Sequence, residues 1–292
     1  MPELPEVETI RRDLEPLLVG RKIVRVRIHR GAERLAVSHS PRAIERELEG
    51  RNVERLGRHG KYLLIHLDDG RTWVMHLRMT GSLVHASTET PAGQFERARV
   101  DLDDGYSLRL NDMRKFATWH LVSDPHEAMP RIGPDALSEA CSAIWLQERF
   151  KTRKQASVKA ALLDQSVCAG VGNIYADEAL WIAKVDPRTL AAELRPRQVR
   201  ALHQALLETL HTSLDNRGSS FSDYRDGLGG EGMHHIRVHV FRRDGQPCER
   251  CGHEIEKIRL AGRGTHFCPH CQHQRRHEEP NERAVDDRLP HD

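Results

Sequence analysis

Four of the six cysteines have the spacing of a metal site. The pattern C-x2-C-x16-C-x2-C comprises Cys248, Cys251, Cys268 and Cys271. Each close pair can place two thiolates on one tight turn, and the two pairs together complete a tetrahedral shell around Zn²⁺. Two disulfides are the alternative, but a chain without an export signal is expected in a reducing compartment. We therefore predict one structural Zn²⁺ and no other cofactor. We expect the neighbouring histidines to be surface or ligand-facing bystanders: His253, His266, His270 and His273.

The first residues of the chain combine a potential nucleophile with two carboxylates. Pro2 follows Met1, a pairing that permits removal of the initiator methionine, and Pro2 would then carry a free secondary amine. An α-amine titrates near about 8, against about 10.4 for lysine, so far more of it is neutral and nucleophilic at pH 7. Such an amine can attack an electrophilic carbon and form an iminium, which activates neighbouring protons for elimination. Glu3 and Glu6 could serve as acid or base groups there, or could only favour a helix dipole.

Composition limits the classes of protein that remain. The chain has 292 residues, a net charge of +2, 30% charged and 38% hydrophobic residues. It holds no run close to the roughly 18 apolar residues of a membrane span, and its start lacks a secretory signal. Transmembrane, collagen-like, wholly disordered and disulfide-scaffold classes are excluded. We expect a cytoplasmic, monomeric protein of two or three modules that does not contact membranes.

Charge is unevenly distributed along the chain. Residues 277–292 hold six acidic and two basic residues, whereas residues 236–276 hold nine basic and four acidic ones. A small basic module beside an acidic, aromatic-free tail indicates polyanion binding with a disordered appendage. Surface charges scattered by chance are the alternative that charge alone leaves open.

Hydrophobic periodicity predicts one helix and then many short strands in the first part of the chain. Residues 5–18 have Pro5 in a first turn, apolar residues at helical spacing and Gly20 beyond the end. Seven alternating or apolar segments follow, and two of their links are Asp-Asp-Gly turns, which predicts a β-sandwich. These segments are 23–28, 62–67, 72–77, 82–85, 98–102, 107–110 and 117–122.

The pattern then becomes helical. Residues 123–134 contain three prolines and a glycine, which is typical of a linker. We predict helices over 143–150, 156–163, 174–182 and 196–214. The glycines of 170–173 would leave backbone N–H groups exposed at a helix start, a suitable seat for phosphate. The glycine-rich stretch near 218–232 is either a mobile lid or a plain connector, and 238–242 is expected to be a strand that leads into the metal pattern.

Six segments resemble the formamidopyrimidine-DNA glycosylase family, bacterial repair enzymes for oxidised purines. They are MPELPEVETIRRDLEPLLVG at the start, GKYLL at 60–64, HLRMTGSL at 76–83, DMRKF at 112–116, GVGNIYADEALW at 170–181 and GRGTHFCPHCQ at 262–272. The resemblance implies an α+β multidomain fold. Its parts would be an N-terminal catalytic β-sandwich with an N-terminal helix (1–123), a linker (124–134), a helix–two-turn–helix DNA-binding domain (135–217), a glycine-rich lesion-recognition loop (218–236), a four-cysteine zinc ribbon (237–275) and a disordered acidic tail (276–292).

The resemblance also implies an activity, that of a bifunctional DNA glycosylase and abasic-site lyase of base excision repair. Such an enzyme flips an oxidised purine out of double-stranded DNA, excises it through a Schiff base and cleaves the strand by β,δ-elimination. Pro2 would form the Schiff base, Glu3 would donate a proton with support from Glu6, and Lys61 and Arg263 would serve β- and δ-elimination. The implied DNA contacts are Arg97, Arg114, Lys154, Asn173 and Tyr175, and the implied intercalating residues are Met79, Arg114 and Phe116.

One departure from the family pattern and two alternative functions remain. Arg97-Ala98-Arg99 stands where many relatives have His-Asp-His; a phosphate contact could survive that change, but a protonation role could not. An endonuclease VIII-type enzyme for oxidised pyrimidines is one alternative, although its members usually open Pro-Glu-Gly-Pro-Glu and this chain has Leu4 in place of the glycine. A non-catalytic damaged-DNA-binding relative is the other, and it would need neither Pro2 nor Glu3.

Overall fold

The computed structural model describes residues 1–221 and 223–272. The predicted acidic tail and His273 therefore lie outside the described residues. Three parts follow one another along the chain: a β-sandwich with two helices, a helical part, and a small β-hairpin that carries the four metal-pattern cysteines. Within the two described ranges, no helix is both long and apolar enough to cross a bilayer.

The first part contains two four-stranded antiparallel sheets. Helices α1 (Leu4–Leu18) and α2 (Pro41–Leu48) accompany β1 (Ile23–Ile28), β2 (Val53–His59), β3 (Tyr62–Leu67), β4 (Thr72–His76), β5 (Ser82–Ser87), β6 (Glu96–Leu102), β7 (Tyr106–Asn111) and β8 (Thr118–Val122). One sheet has the order β1-β6-β7-β5 and the other β2-β3-β4-β8. Because the inward faces of both sheets share one hydrophobic core with α1, the helix that follows Pro2 is fixed to the sandwich.

The sandwich core explains why the alternating segments became strands. Side chains of β6 alternate between buried and half-buried along its whole length, as a strand with one core-facing side requires. Trp73 on β4 and Trp119 on β8 pack edge to face with ring centroids 4.6 Å apart, an arrangement that aromatic rings favour. This pair lies within one sheet, and residues of the other sheet and of α1 belong to the same core.

Hydrophobic periodicity did not predict α2 and β2, although the sequence of α2 contains a helix signal. Ser40 caps α2 by accepting a hydrogen bond from the Ala43 N–H, and Pro41 opens its first turn. Ile44 and Leu48, one turn apart, are its buried residues. A cap, a proline at the first position and an i, i+4 apolar pair predict a short helix.

The second part is helical, as predicted. It contains α3 (Ala143–Thr152), α4 (Val158–Leu163), α5 (Asn173–Ile182) and α6 (Pro196–Asp215). α5 and α6 pack against each other around a second hydrophobic core that also takes in Leu4 from the start of α1. α1 therefore contributes Leu4 to the second core and its later apolar residues to the first, next to the predicted catalytic residues.

The third part is the hairpin of β9 (Glu256–Leu260) and β10 (Arg263–Phe267). The predicted strand over 238–242 was wrong. The N–H groups of His239, Val240 and Phe241 donate to the Glu178 carboxylate on α5 at 2.7, 2.9 and 2.8 Å instead of joining a strand ladder. A carboxylate on a neighbouring helix thus fixes the approach to the first cysteine pair.

Candidate active site

Glu3 lies where α1 meets α5. Its backbone N–H donates to Glu6 Oε2 at 2.8 Å, which satisfies one of the free N–H groups at the start of α1. Its carboxylate accepts a hydrogen bond from the Ile174 N–H at 3.1 Å, in the first turn of α5. The predicted phosphate seat at 170–173 is therefore filled by a carboxylate of the same chain, the anion that a helix N-terminus favours.

The other Glu3 oxygen lies in a different environment. Oε2 is buried and has no hydrogen-bond partner in the part of the chain that the structure describes. Burial raises the pKa of Glu3 to about 7; the Lys61 charge opposes this shift and Glu6 reinforces it. A carboxyl group that titrates near neutral pH can hold a proton and release it under the same conditions.

Glu6 organises the interior beneath Glu3. Its carboxylate accepts hydrogen bonds from the Tyr175 hydroxyl, the Ser219 N–H at 2.8 Å and the Glu3 N–H. Burial raises the pKa of Glu6, while these three donors act in the opposite direction. Glu6 thus links α1, α5 and the glycine-rich loop at one point.

Tyr175 is a correction to the predicted DNA contacts. The residue is 0% exposed, so it cannot touch DNA. Its hydroxyl lies between Glu6 and Ser213 Oγ, the latter at 2.6 Å. The motif placed it on the right helix, but the side chain faces the interior and serves the carboxylate network.

Lys61 reaches the same cleft from the sandwich. Gly60 before it has φ +58°, and a Cβ there would lie 3.0 Å from Ala169 Cβ; its N–H donates to Asp135 Oδ2 at 2.7 Å. The loop that carries Lys61 is thus pressed against the loop before α5. Lys61 is only 7% exposed, and burial lowers its pKa while Glu3 raises it.

Arg263 is exposed at the start of β10. A buried lysine holds the hairpin tip that carries Arg263. The fully buried Lys159 donates to the Gly264 carbonyl at 3.1 Å and to Thr265 Oγ1 at 2.8 Å. It also forms a 2.6 Å ion pair with Asp177. Burial lowers the pKa of Lys159, and Asp177 acts against this shift. No sequence motif predicted this pair, although a lysine within the apolar segment Val-Lys-Ala-Ala-Leu-Leu indicates a buried cation that needs a partner.

Of the four predicted bystander histidines, His266 was wrongly assigned. It is buried, and its N–H donates to Asp177 Oδ2 at 3.0 Å. Lys159 and His266 therefore meet on one aspartate. His253 and His270 are exposed and stack with ring centroids 4.1 Å apart.

Two loops of the sandwich carry the predicted intercalating residues. Met79 and Phe116 line the cleft, and the Arg114 guanidinium stacks on Phe116 at 4.7 Å. The buried Asp112 accepts hydrogen bonds from the Phe116 and Ala117 N–H groups at 2.7 and 2.8 Å and from the Thr80 hydroxyl. Because Thr80 follows Met79, Asp112 joins the two loops.

The other predicted DNA contacts are more widely spread. Lys154 is exposed, outside the residues that line the cleft. Asn173 lines the cleft, and its amide donates to the Gly264 carbonyl at 2.9 Å. Arg97 does not line it; its Nε donates to the Asp112 carbonyl at 2.7 Å, so it braces the Arg114 loop.

One cleft of about 970 Å³ brings most of these groups together. Glu3, Lys61, Met79, Phe116, Asn173 and Arg263 line it, whereas Arg97, Arg114, Lys154 and Tyr175 do not. Pro2 is buried between Met1 and Glu3, both of which line the cleft. Three further arginines line the cleft, namely Arg78, Arg131 and Arg242. Among the described lining residues, Glu3 is the one acidic residue. A basic cleft with a single buried acid suits a polyanion that reacts beside that acid.

The four cysteine sulfurs fit a Zn²⁺ ion. Sγ–Sγ distances are 3.9 Å for Cys248–Cys271, 3.5 Å for Cys251–Cys268 and 3.4 Å for Cys251–Cys271. A tetrahedron with Zn–S bonds of about 2.3 Å has edges of about 3.8 Å. Four thiolates leave no position for water, so the zinc is structural. Cys141 and Cys168 lie elsewhere, buried together in the helical part with Sγ–Sγ 3.1 Å.

Three family models cover most of the chain. The formamidopyrimidine-DNA glycosylase N-terminal domain matches residues 1–119, the H2TH domain of that enzyme matches 132–225, and a zinc finger found in FPG and IleRS matches 245–274. The formamidopyrimidine-DNA glycosylase of Herpetosiphon aurantiacus is 42% identical over 274 residues, which are 93% of this chain and 100% of the relative. That of Symbiobacterium thermophilum is 45% identical over 276 residues, 93% of this chain and 89% of the relative.

Solved structures agree with the sequence matches. A Lactococcus lactis FPG mutant in complex with Fapy-dG-containing DNA has a TM-score of 0.87 at 35% identity, over 94% of this chain and 100% of that one. MutM with DNA containing carbocyclic 8-oxo-G has a TM-score of 0.86 at 35% identity, with the same coverage. Sandwich, H2TH helices and four-cysteine zinc finger together define a DNA glycosylase of DNA repair, and they confirm the predicted fold class and zinc site. The chain belongs to the formamidopyrimidine-DNA glycosylase family.

Proposed function

We propose that the chain binds double-stranded DNA, extrudes an oxidised purine such as 8-oxoguanine or a formamidopyrimidine, excises it and then cleaves the strand at the abasic site. The observation that carries the proposal is the position of Glu3. This carboxyl group, with a pKa of about 7, follows Pro2 directly and shares one basic cleft with Lys61 and Arg263. The proposed place of action is the bacterial cytoplasm.

DNA binding is supported by the charge of the cleft. Lys61 and four arginines line it, against one acidic residue among the described lining. Cationic side chains that neutralise phosphates release bound counterions, which makes such binding strong at low salt. The solved relatives were crystallised with DNA that contains Fapy-dG or an abasic site.

The proposed chemistry begins at the Pro2 nitrogen after removal of Met1. With Met1 attached this nitrogen is an amide and inert. Without Met1 it can attack C1′ while the bond from C1′ to the base breaks, and the proton that the nitrogen gives up goes to the departing base. Glu3 would protonate the sugar ring oxygen, so that the ring opens and an iminium remains. Loss of the C2′ proton would then expel the 3′ phosphate, with Lys61 as the nearby cation. Loss of the C4′ proton in a second elimination would expel the 5′ phosphate towards Arg263, because a guanidinium fork suits phosphate.

A trapping experiment tests this proposal. Protein from which Met1 has been removed, as verified by mass spectrometry, is incubated with an 8-oxoguanine duplex and borohydride, which reduces an iminium to a stable covalent adduct. We expect an adduct with the wild-type protein and much less with Pro2→Gly, whose primary amine can retain part of the activity. Binding of the duplex without adduct or product would favour the non-catalytic alternative.

A second arm separates the two enzyme classes. The same incubation with a thymine-glycol duplex measures activity on an oxidised pyrimidine. We expect faster excision from the 8-oxoguanine duplex. Faster excision of thymine glycol would favour the endonuclease VIII-type alternative, in spite of Leu4.

A further inference from the structure

Arg242 lies in the wall of the cleft with a backbone conformation that arginine rarely adopts. Its φ is +59°, in the left-handed region where glycine is favoured and a Cβ is crowded. A side chain retained at such a position is a strained feature, and strained positions concentrate at functional sites. Arg78 and Arg131, which also line the cleft, share this conformation, with φ of +55° and +61°. What distinguishes Arg242 is the surroundings of its side chain.

Two aromatic rings hold the guanidinium of Arg242. It lies 5.1 Å from the ring centroid of Phe221 and 5.9 Å from that of Phe241. The two rings contact each other edge to face at 5.2 Å, and both line the cleft. A guanidinium placed over aromatic rings can keep N–H groups available for an anion.

No protein group neutralises this cation within the described ranges. Arg242 is exposed, and no ion pair or hydrogen bond of its side chain occurs among residues 1–221 and 223–272. Arg263 and Lys61 share the same wall, where Glu3 is the one described acidic residue. An oriented, uncompensated guanidinium in a basic cleft is suited to a phosphate, with which it can form two parallel charge-assisted hydrogen bonds.

We propose that Arg242 is a DNA-binding residue that contacts a phosphate of the damaged strand. The inference rests on the proposed function, since it takes the cleft as the DNA site. It adds a contact that the chain maintains at the expense of backbone strain. A base contact by the same side chain is the competing possibility, and the experiment separates the two.

The test uses Arg242→Gly, because glycine relieves the strain while it removes the cation. We expect this variant to melt at a higher temperature than the wild-type protein and to bind DNA about tenfold more weakly. The logarithmic salt dependence of binding should also lose about one unit of slope. Lys184→Gly is the matched control: Lys184 is exposed with φ +56°, outside the cleft lining. It should gain stability and keep its affinity.

Two duplexes distinguish the ligand. One carries 8-oxoguanine, and the other carries a tetrahydrofuran residue, an unreactive abasic analogue without a base. A phosphate contact predicts equal losses of affinity on both duplexes. A loss confined to the 8-oxoguanine duplex would show a base contact and overturn the proposal, as would unchanged affinity on both. Binding of both duplexes is measured in a Glu3→Gln background, in which the proposed chemistry is blocked. Failure of the wild-type protein to form a borohydride adduct would therefore count against the proposed chemistry alone.

Discussion

The carboxyl group of Glu3 fills the space that a side chain at position 172 would occupy. A Cβ on Gly172 would lie 2.3 Å from Glu3 Cδ and 2.5 Å from Oε1, far inside van der Waals contact. The missing side chain lets the carboxylate reach the Ile174 N–H at the start of α5. The second glycine of the loop is therefore part of the machinery that places Glu3 in the cleft.

Gly172→Ala should displace Glu3 and abolish most of the activity. We expect the single-turnover rate of base excision to fall at least 100-fold, because a misplaced proton donor loses both its position and its hydrogen bond. Gly57→Ala is the matched control, since a Cβ there would have its nearest contact at 3.5 Å, an ordinary distance. If Gly172→Ala excises the base as fast as Gly57→Ala does, Glu3 is not the donor in this position.

The raised pKa of Glu3 predicts how its contribution to stability changes with pH. A folded-state pKa of about 7, raised mainly by burial, exceeds the ordinary value of 4.5. The folded state thus retains a proton that the unfolded chain loses, and stability falls as pH rises from about 4.5 through 7. Glu3→Gln has no such loss. The unfolding free energy of this variant minus that of the wild-type protein should therefore increase between pH 5 and pH 8 in urea denaturation.

Glu8 supplies the control of opposite sign. Although burial opposes it, hydrogen bonds from Arg11 and the charge of Arg58 lower the pKa of Glu8 to about 2. Its contribution is complete above about 4.5 and is lost only as pH falls towards 2. Glu8→Gln should consequently be destabilised by the same amount at pH 5 and pH 8. A pH-independent difference for Glu3→Gln as well would contradict the raised pKa.

Local periodicity explains which parts of the fold could be predicted. The helix over 5–18 and the strands over 23–28 and 62–67 agree with the structure to within one residue, because each presents one face to a core. The cysteine spacing likewise predicted the zinc site, because two close pairs are enough to form a tetrahedral set of ligands. In contrast, 238–242 has the composition of a strand, but the Glu178 carboxylate 61–63 residues away takes its N–H groups.

The interior of the site could be predicted only in part. Motifs identified Glu3, Lys61 and Arg263, yet the direction of a side chain depends on what packs around it. Tyr175 therefore faces Glu6 rather than DNA, and the buried Lys159–Asp177 pair depends on the hairpin that folds over it. Partners of this kind are brought together only by the fold, so no spacing in the sequence predicts their contact.

Tyr175→Phe should lower stability and leave the affinity for DNA unchanged. The variant removes a buried hydroxyl that donates to Glu6, and loss of a partner by a buried polar group costs about 1–3 kcal/mol. The affinity for DNA at a fixed salt concentration should match that of the wild-type protein. Lys154→Ala provides the comparison, because loss of an exposed lysine that contacts phosphate should weaken binding and reduce the salt slope by about one unit. A loss of affinity for Tyr175→Phe as large as that for Lys154→Ala would restore the DNA contact that burial excludes.

Asp112→Asn should impair base extrusion more than sugar chemistry. One Asp112 carboxylate oxygen accepts hydrogen bonds from the Phe116 and Ala117 N–H groups. In the asparagine variant an NH2 group replaces one of the two carboxylate oxygens, so that its hydrogens face donors instead of an oxygen accepting from them. We expect excision of 8-oxoguanine from duplex DNA to slow at least tenfold. Cleavage of a single-stranded abasic substrate, which has no stacked partner to open, should change less than threefold. Equal losses on both substrates would indicate general damage to the fold rather than loss of the wedge.

Removal of zinc should affect the last elimination step most strongly. The hairpin is held at one end by the four thiolates and at its tip by Lys159, with Arg263 beside the tip. Without metal the first support is lost, so the Arg263 guanidinium should no longer stay at the 5′ phosphate.

Cys268→Ser should contain less than one zinc per chain in a colorimetric chelator assay. On denaturing gels its abasic-site products should shift from δ- towards β-elimination ends. Cys168→Ala, a buried thiol outside the metal site, should keep one zinc and the wild-type product ratio. A zinc-free Cys268→Ser protein with unchanged products would show that the Lys159 anchor alone holds Arg263 in place.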